Sequence, residues 1–260
     1  MANISRVAVT VGTVAAHNRE VDLHFMPGMA ATEATKIEPA MMVGTESARR
    51  PDILLIIVPG MGMDARDMET QGLIGAVGKR DLPVSIATVD PGPDSYLDNS
   101  VEIRLLEGIA EARHAAGSNR IWLAGISLGC QAILRCVRLR PDLAEGLILL
   151  TPYLASTGLI GEITRAGGMR PWLTSNANRN DPERALLTWL GTMPLGDLPR
   201  ILVGRALSDR FAATANLLAD LLPADQVTNV PGKHDWASWR ALWNLILDQN
   251  PFERTAAGAP

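Results

Sequence analysis

Gly125-Ile-Ser127-Leu-Gly129 is the stretch of this chain whose residue types and spacing point most directly to chemistry. A serine at the centre of G-x-S-x-G fits a turn so tight that side chains at the flanking positions would collide with the neighbouring strand and helix. Such a turn lifts the hydroxyl clear of the sheet, and the helix start behind it offers backbone N–H groups beside it. The chemistry implied is attack on a carbonyl. Five residues of this kind also arise by chance in chains of ordinary composition, so their setting decides their value. Here an apolar run, Arg120–Ala124, precedes the motif, and an amphipathic stretch, Leu128–Leu139, follows it.

The same alternation extends along the chain from Pro51. Ile53–Val58 precedes a helical stretch over Asp64–Gly78, and Pro83–Val89 precedes another over Val101–Gly117. Gly146–Thr151, Arg200–Val203 and Asp225–Val230 are further strand-length runs, and a last helix surrounds Trp236–Asp248. The runs are short, bounded by Gly and Pro, and lack polar alternation, as buried parallel strands do. The expected fold class is therefore α/β, a mostly parallel sheet with helices on both faces. Two segments depart from this pattern. Arg6–Val11 and Glu20–Phe25 alternate and predict an antiparallel N-terminal hairpin at the sheet edge. Residues 157–198 form a connection long enough to be a small helical cap inserted into one domain spanning residues 1–260.

Beyond these patterns, the chain resembles the α/β-hydrolase superfamily over nearly its whole length. The elbow GISLG at 125–129 carries the resemblance most strongly. Val58-Pro59-Gly60-Met61-Gly62 stands where relatives carry His-Gly-x-Gly, and Asp90-Pro-Gly92-Pro-Asp-Ser95 is similar to a glycine-containing loop of the family. Arg140-Pro141-Asp-Leu-Ala-Glu-Gly-Leu-Ile-Leu-Leu resembles the family's passage into its next strand. The resemblance implies a serine hydrolase that works through an acyl-enzyme, with a Ser, acid, His order along the chain.

Of the 4 histidines, His17 and His24 lie in the expected hairpin and His114 near the exposed end of a charged helix. His234 follows the last strand, where the resemblance places a general base. The acid it implies is Asp209, after Arg200-Ile-Leu-Val-Gly204, with the capping of a helix that begins near Arg210 as the rival role for the same residue. Asp225 begins a strand at the wrong end of the sheet, and Asp235 adjoins His234 too closely to turn onto its ring. For the oxyanion, the resemblance implies two backbone N–H donors, Leu128 and Met61. Gly60, Gly62, Tyr153 and Trp172 are the expected substrate-binding residues. The apolar character of the expected cap (Leu159, Ile160, Ile163, Leu173, Leu187 and Trp189 besides Trp172) points to a small to medium hydrophobic ester.

Other readings stay open. An acyl thioesterase or acyltransferase would use the same residues, and a hydrolase-fold binding protein could have lost the reaction. Gly60-Met-Gly62-Met-Asp-Ala65 also fits the dinucleotide fingerprint G-x-G-x-x-G/A, which would make an oxidoreductase. The acid it requires at the end of the next strand, about twenty positions on, is not well placed, since the strand-end candidate Asp90 lies roughly thirty after Gly60. With 47% hydrophobic and 20% charged residues and a net charge of -4, the composition is globular and disfavours a nucleic-acid or anionic-membrane surface. Cys130 and Cys136 stand roughly 9 Å apart along one helix, too far for a disulfide, and have no metal-ligand spacing. No apolar run is long enough to span a bilayer, and MANISRVAVTV lacks the charged and apolar segments of a secretory leader. The expectation is a cytoplasmic enzyme with a small-molecule acyl substrate and neither metal nor cofactor.

Overall fold

The computed structural model of the chain describes residues 8–13, 52–174 and 181–253. Seven strands form one sheet: β1 (Ala8–Thr13), β2 (Ile53–Val58), β3 (Val84–Asp90), β4 (Arg120–Ile126), β5 (Gly146–Leu150), β6 (Arg200–Ala206) and β7 (Val227–Val230). Their order is β1-β3-β2-β4-β5-β6-β7. Strands β2 to β7 run parallel to their neighbours, and β1 alone is antiparallel, pairing Ala8 with Asp90 and Thr13 with Ser85. Of the expected hairpin, the first strand is thus an antiparallel edge strand; Glu20–Phe25 lies outside the described residues.

Strands β2 and β5 are buried along their whole length, which their uninterrupted apolar runs required. Their alternate side chains feed two cores. Leu54, Ile56 and Val58 face one layer, made of α4 (Val101–Ala116), α5 (Leu128–Leu139) and α9 (Ala212–Ala219). Ile53, Leu55 and Ile57 face the other, made of α1 (Ala65–Thr70), α2 (Leu73–Gly78) and α10 (Trp236–Leu247). Each such side chain withdrawn from water contributes about 1.5–3 kcal/mol. The single helix expected over Asp64–Gly78 is two, because Gly72 takes a left-handed conformation (φ 79°) between them. A four-residue helix, α3 (Asp94–Leu97), precedes α4.

Between β5 and β6 stand α6 (Thr157–Arg165), α7 (Met169–Thr174) and α8 (Pro182–Thr192). Their apolar faces (Leu159, Ile163, Trp172, Leu186, Leu190) join the core beneath α5. Glu162 ties the three together, accepting hydrogen bonds from Trp172 Nε1 at 3.0 Å and Arg184 Nη1 at 2.8 Å. These bonds hold its carboxyl at about 2, well below the usual carboxylate range. No helix among the described residues is long and apolar enough to cross a membrane.

From β2 the chain moves outward to β3, then returns past β2 to lay down β4 and proceed the other way. The loops leaving β2 and β4 therefore diverge at adjacent strand ends, the position where parallel sheets leave a crevice. Ser127 stands there.

Candidate active site

Ser127 links β4 to α5 with φ 53° and ψ -114°, a left-handed conformation that costs a non-glycine residue on the order of 1–3 kcal/mol. The flanking glycines make the bend possible. A Cβ on Gly125 would lie 2.8 Å from the Cys130 nitrogen, and one on Gly129 would lie 2.3 Å from the Val58 carbonyl oxygen and 2.5 Å from that of Pro59. The loop after β2 thus rests directly on the first turn of α5. Backbone bonds fix the bend from the other side: Ser127 N–H donates to Leu150 O (3.0 Å), and Tyr153 N–H donates to Ser127 O (3.1 Å).

Three residues far apart in sequence converge here. Ser127 Oγ lies 2.8 Å from His234 Nε2, and His234 Nδ1 lies 2.7 Å from Asp209 Oδ2. The Asp209 carboxylate leaves Nδ1 as the donor, so that Nε2 is an acceptor for the Ser127 hydroxyl. Asp209 also accepts from Phe211 N–H at 2.7 Å. One oxygen orders the loop before α9 and the other faces the imidazole; the expected helix cap is not formed, because α9 begins only at Ala212, with Phe211 before it and no side chain capping its first turn. Its neighbour in sequence to the base, Asp235, caps α10 by accepting from Ser238 N–H at 3.0 Å.

The imidazole is fixed by groups that sequence reasoning did not find. Phe211 and Trp239 meet it edge-on, with centroids at 4.9 and 5.2 Å. Thr151 Oγ1 lies 3.3 Å from Nδ1 and accepts from Trp239 Nε1 at 2.8 Å. Thr151 is buried and, like Ser127, has positive φ (43°) at the end of its strand. A threonine closing an apolar run carries no local sign of such a role; only the strand order, which sets β5 beside β4, brings it to the histidine.

Ser127 and His234 open into a cavity of about 640 Å³. Near the serine its walls are Met61, Met63, Leu128, Tyr153, Phe211 and Trp239. Leu128 opens α5, whose leading N–H groups find no carbonyl within the helix. Met61 stands in the turn closed by Met63 N–H to Gly60 O at 3.2 Å. Of the expected pocket residues, Tyr153 lines the cavity, whereas Gly60 and Gly62 border a smaller recess of about 60 Å³. Trp172 is a correction. It is fully buried, with its indole N–H on Glu162, and packs α7 into the core instead of facing the cavity. The inserted helices reach the cavity through Pro182 and Glu183 at the start of α8.

Cys130 and Cys136 are both buried and free. Burial raises both thiols, Cys136 to about 12, which keeps them protonated and unreactive.

No family model and no curated protein sequence matches the chain. Solved structures do. S-formylglutathione hydrolase (FrmB) from Staphylococcus aureus superimposes with a TM-score of 0.57 at 14% identity, covering 78% of this chain and 86% of that one. The fluorophosphonate-binding serine hydrolase FphF of the same organism gives 0.51 at 14%, covering 80% and 85%. A thermophilic esterase from Thermogutta terrifontis gives 0.50 at 16%, covering 78% and 91%. At these identities the likeness speaks for the arrangement of strands and helices, and it reaches well beyond the five residues of the elbow: the chain has the α/β-hydrolase fold.

Proposed function

We propose that the chain is a serine hydrolase that cleaves carboxylic esters through an acyl-enzyme. The observation that carries this reading is the hydrogen-bonded line from Ser127 Oγ through His234 to Asp209, at 2.8 and 2.7 Å, beside a cavity. His234 Nε2 takes the Ser127 proton as Oγ attacks the ester carbonyl, and Asp209 stabilises the imidazolium. Leu128 and Met61 N–H groups receive the charge that develops on the carbonyl oxygen. His234 then protonates the leaving alcohol, and water repeats the sequence on the acyl group. Helices α6–α8 serve as the cap, closing one side of the cavity through the start of α8. The apolar wall around Ser127 suits a small to medium acyl or alcohol group in the segment nearest the reacting carbonyl.

Thioester hydrolysis and acyl transfer would run on the same groups, and substrates decide between them. The test is a panel of p-nitrophenyl esters and acyl-thioesters, with fluorophosphonate labelling, on wild type and Ser127→Ala. Ester turnover and labelling are expected in wild type and should both vanish in the variant while its circular dichroism is unchanged. Turnover retained by Ser127→Ala would overturn the assignment.

A further inference from the structure

One arm of the cavity does not match the apolar wall around Ser127. Down the face of α5 from Leu128, the lining residues are Gln131 and Arg135, and Tyr96 of α3 stands beside them. Gln131 and Arg135 are 4% and 6% exposed, so these polar groups belong to the interior. A buried polar side chain is costly unless its hydrogen-bonding capacity is met.

Much of that capacity is met, but not all. Gln131 Nε2 donates to Leu154 O at 3.1 Å, which leaves Oε1 as an acceptor with no partner among the described residues. Arg135 gives Nε and Nη2 to the two oxygens of Glu102 at 2.7 and 2.8 Å, leaving Nη1 uncommitted among the described residues. The Tyr96 hydroxyl likewise has no hydrogen-bond partner among the described residues. Burial and the nearby Asp90 carboxylate push its phenol well above the ordinary value, so it stays a donor. The arm therefore offers an acceptor, a cationic N–H donor and a hydroxyl.

Formal charge narrows what these groups receive. Arg135 is neutralised by Glu102, and the lining holds one further cation and one further anion, Arg210 and Glu183. A cavity balanced in this way gives neither a carboxylate nor an ammonium a net attraction. Helix geometry sets the distance. Gln131 and Arg135 lie four and eight residues beyond Ser127, roughly 6 and 12 Å along the axis.

We propose that this arm is a specificity subsite for an uncharged hydrogen-bonding group, such as a hydroxyl or amide, carried by the substrate roughly 6–12 Å from the scissile carbonyl. Gln131 Oε1 accepts from that group, while Arg135 Nη1 and the Tyr96 hydroxyl donate to it. The substrate class becomes an ester apolar next to the reacting carbon and oxygen-bearing further out, instead of one hydrophobic throughout. This rests on the serine-hydrolase reading above.

The test compares isosteric pairs on the full chain: p-nitrophenyl ω-hydroxyoctanoate with p-nitrophenyl nonanoate, and ω-hydroxyoctyl acetate with nonyl acetate. Wild type is expected to favour the hydroxylated member of at least one pair by roughly tenfold in kcat/KM. Tyr96→Phe, which removes one oxygen and keeps the ring, should shrink that ratio about threefold, and Gln131→Leu should shrink it further. The subsite is overturned, with the hydrolase reading intact, if wild type takes up fluorophosphonate and turns over esters but prefers the alkyl member of both pairs. A hydroxyl preference untouched by both variants overturns it equally. Absence of both labelling and turnover in wild type would bring down the two readings together.

Discussion

The turn that carries Ser127 and the three helices inserted between β5 and β6 are held in place by different forces. At the turn, main chain meets main chain: Gly129 leaves no room for a Cβ above Val58 and Pro59, and the Ser127 N–H and C=O are both bonded to neighbouring backbone. In the inserted helices, side chains do the holding. Leu159, Ile163 and Leu186 pack into the core, and the Glu162 carboxylate gathers Trp172 and Arg184. Backbone contacts are set by the fold and are either kept or broken by a substitution, whereas side-chain contacts can be retuned one at a time. A reacting group placed by the first kind and a cavity wall placed by the second allow the chemistry to stay fixed while the pocket changes.

If that contrast holds, damage should be greatest where a change touches the groups lined up with Ser127 or the turn that carries it, and smallest in the inserted helices. Asp209→Asn should do the most harm, because an amide favours the wrong imidazole tautomer. Ester kcat is expected to fall on the order of 10³–10⁴-fold with the fold retained; near-normal turnover would mean another acid holds His234. Next comes Gly129→Ala. Its methyl would press on two carbonyl oxygens, costing on the order of 3 kcal/mol and lowering Tm by roughly 6–12 °C. An unchanged melting curve would show that the turn is less rigid than described.

Trp239→Phe keeps a ring against His234 but removes the N–H that Thr151 accepts. Here the expected loss is about three- to tenfold, confined to kcat with KM unmoved, as suits a positioning residue. An equal change in KM would instead point to disturbed packing. Glu162→Gln should have the smallest effect, and one that depends on pH. Because folding depresses this carboxyl from 4.5 to about 2, its stabilisation is complete above the unfolded value and lost as pH falls through the folded one. Wild type and variant are therefore expected to differ in Tm at pH 7 and to converge as pH drops from about 4.5 toward 2; a gap that persists in acid would refute it.

How far the sequence disclosed this arrangement follows from the range of the interactions involved. The elbow is local. Its glycines, its strand and its helix lie within twenty residues, so Ser127 is visible in the pattern itself. His234 and Asp209 were accessible because each follows a strand end at which the resemblance to α/β-hydrolases implies a base and an acid. Thr151, Phe211 and Trp239 could not be seen in this way, since their contact with the imidazole exists only once β5, β6 and α10 are side by side. Trp172 misled for a related reason. Helical spacing shows that a face is apolar but not which neighbour it meets, and α7 turns that face into the core. Gln131 and Arg135 were hidden by the opposite effect: within an amphipathic helix they look like the solvated side, and the fold turns them inward.

The left-handed backbone at Ser127 has a consequence for how such a chain would change over time. Glycine would sit there more comfortably than serine by roughly 1–3 kcal/mol, so stability alone pulls the position away from the hydroxyl. A lineage released from its reaction would drift toward glycine at 127 and become harder to melt as it became inert. In this fold, obsolescence would be rewarded with robustness.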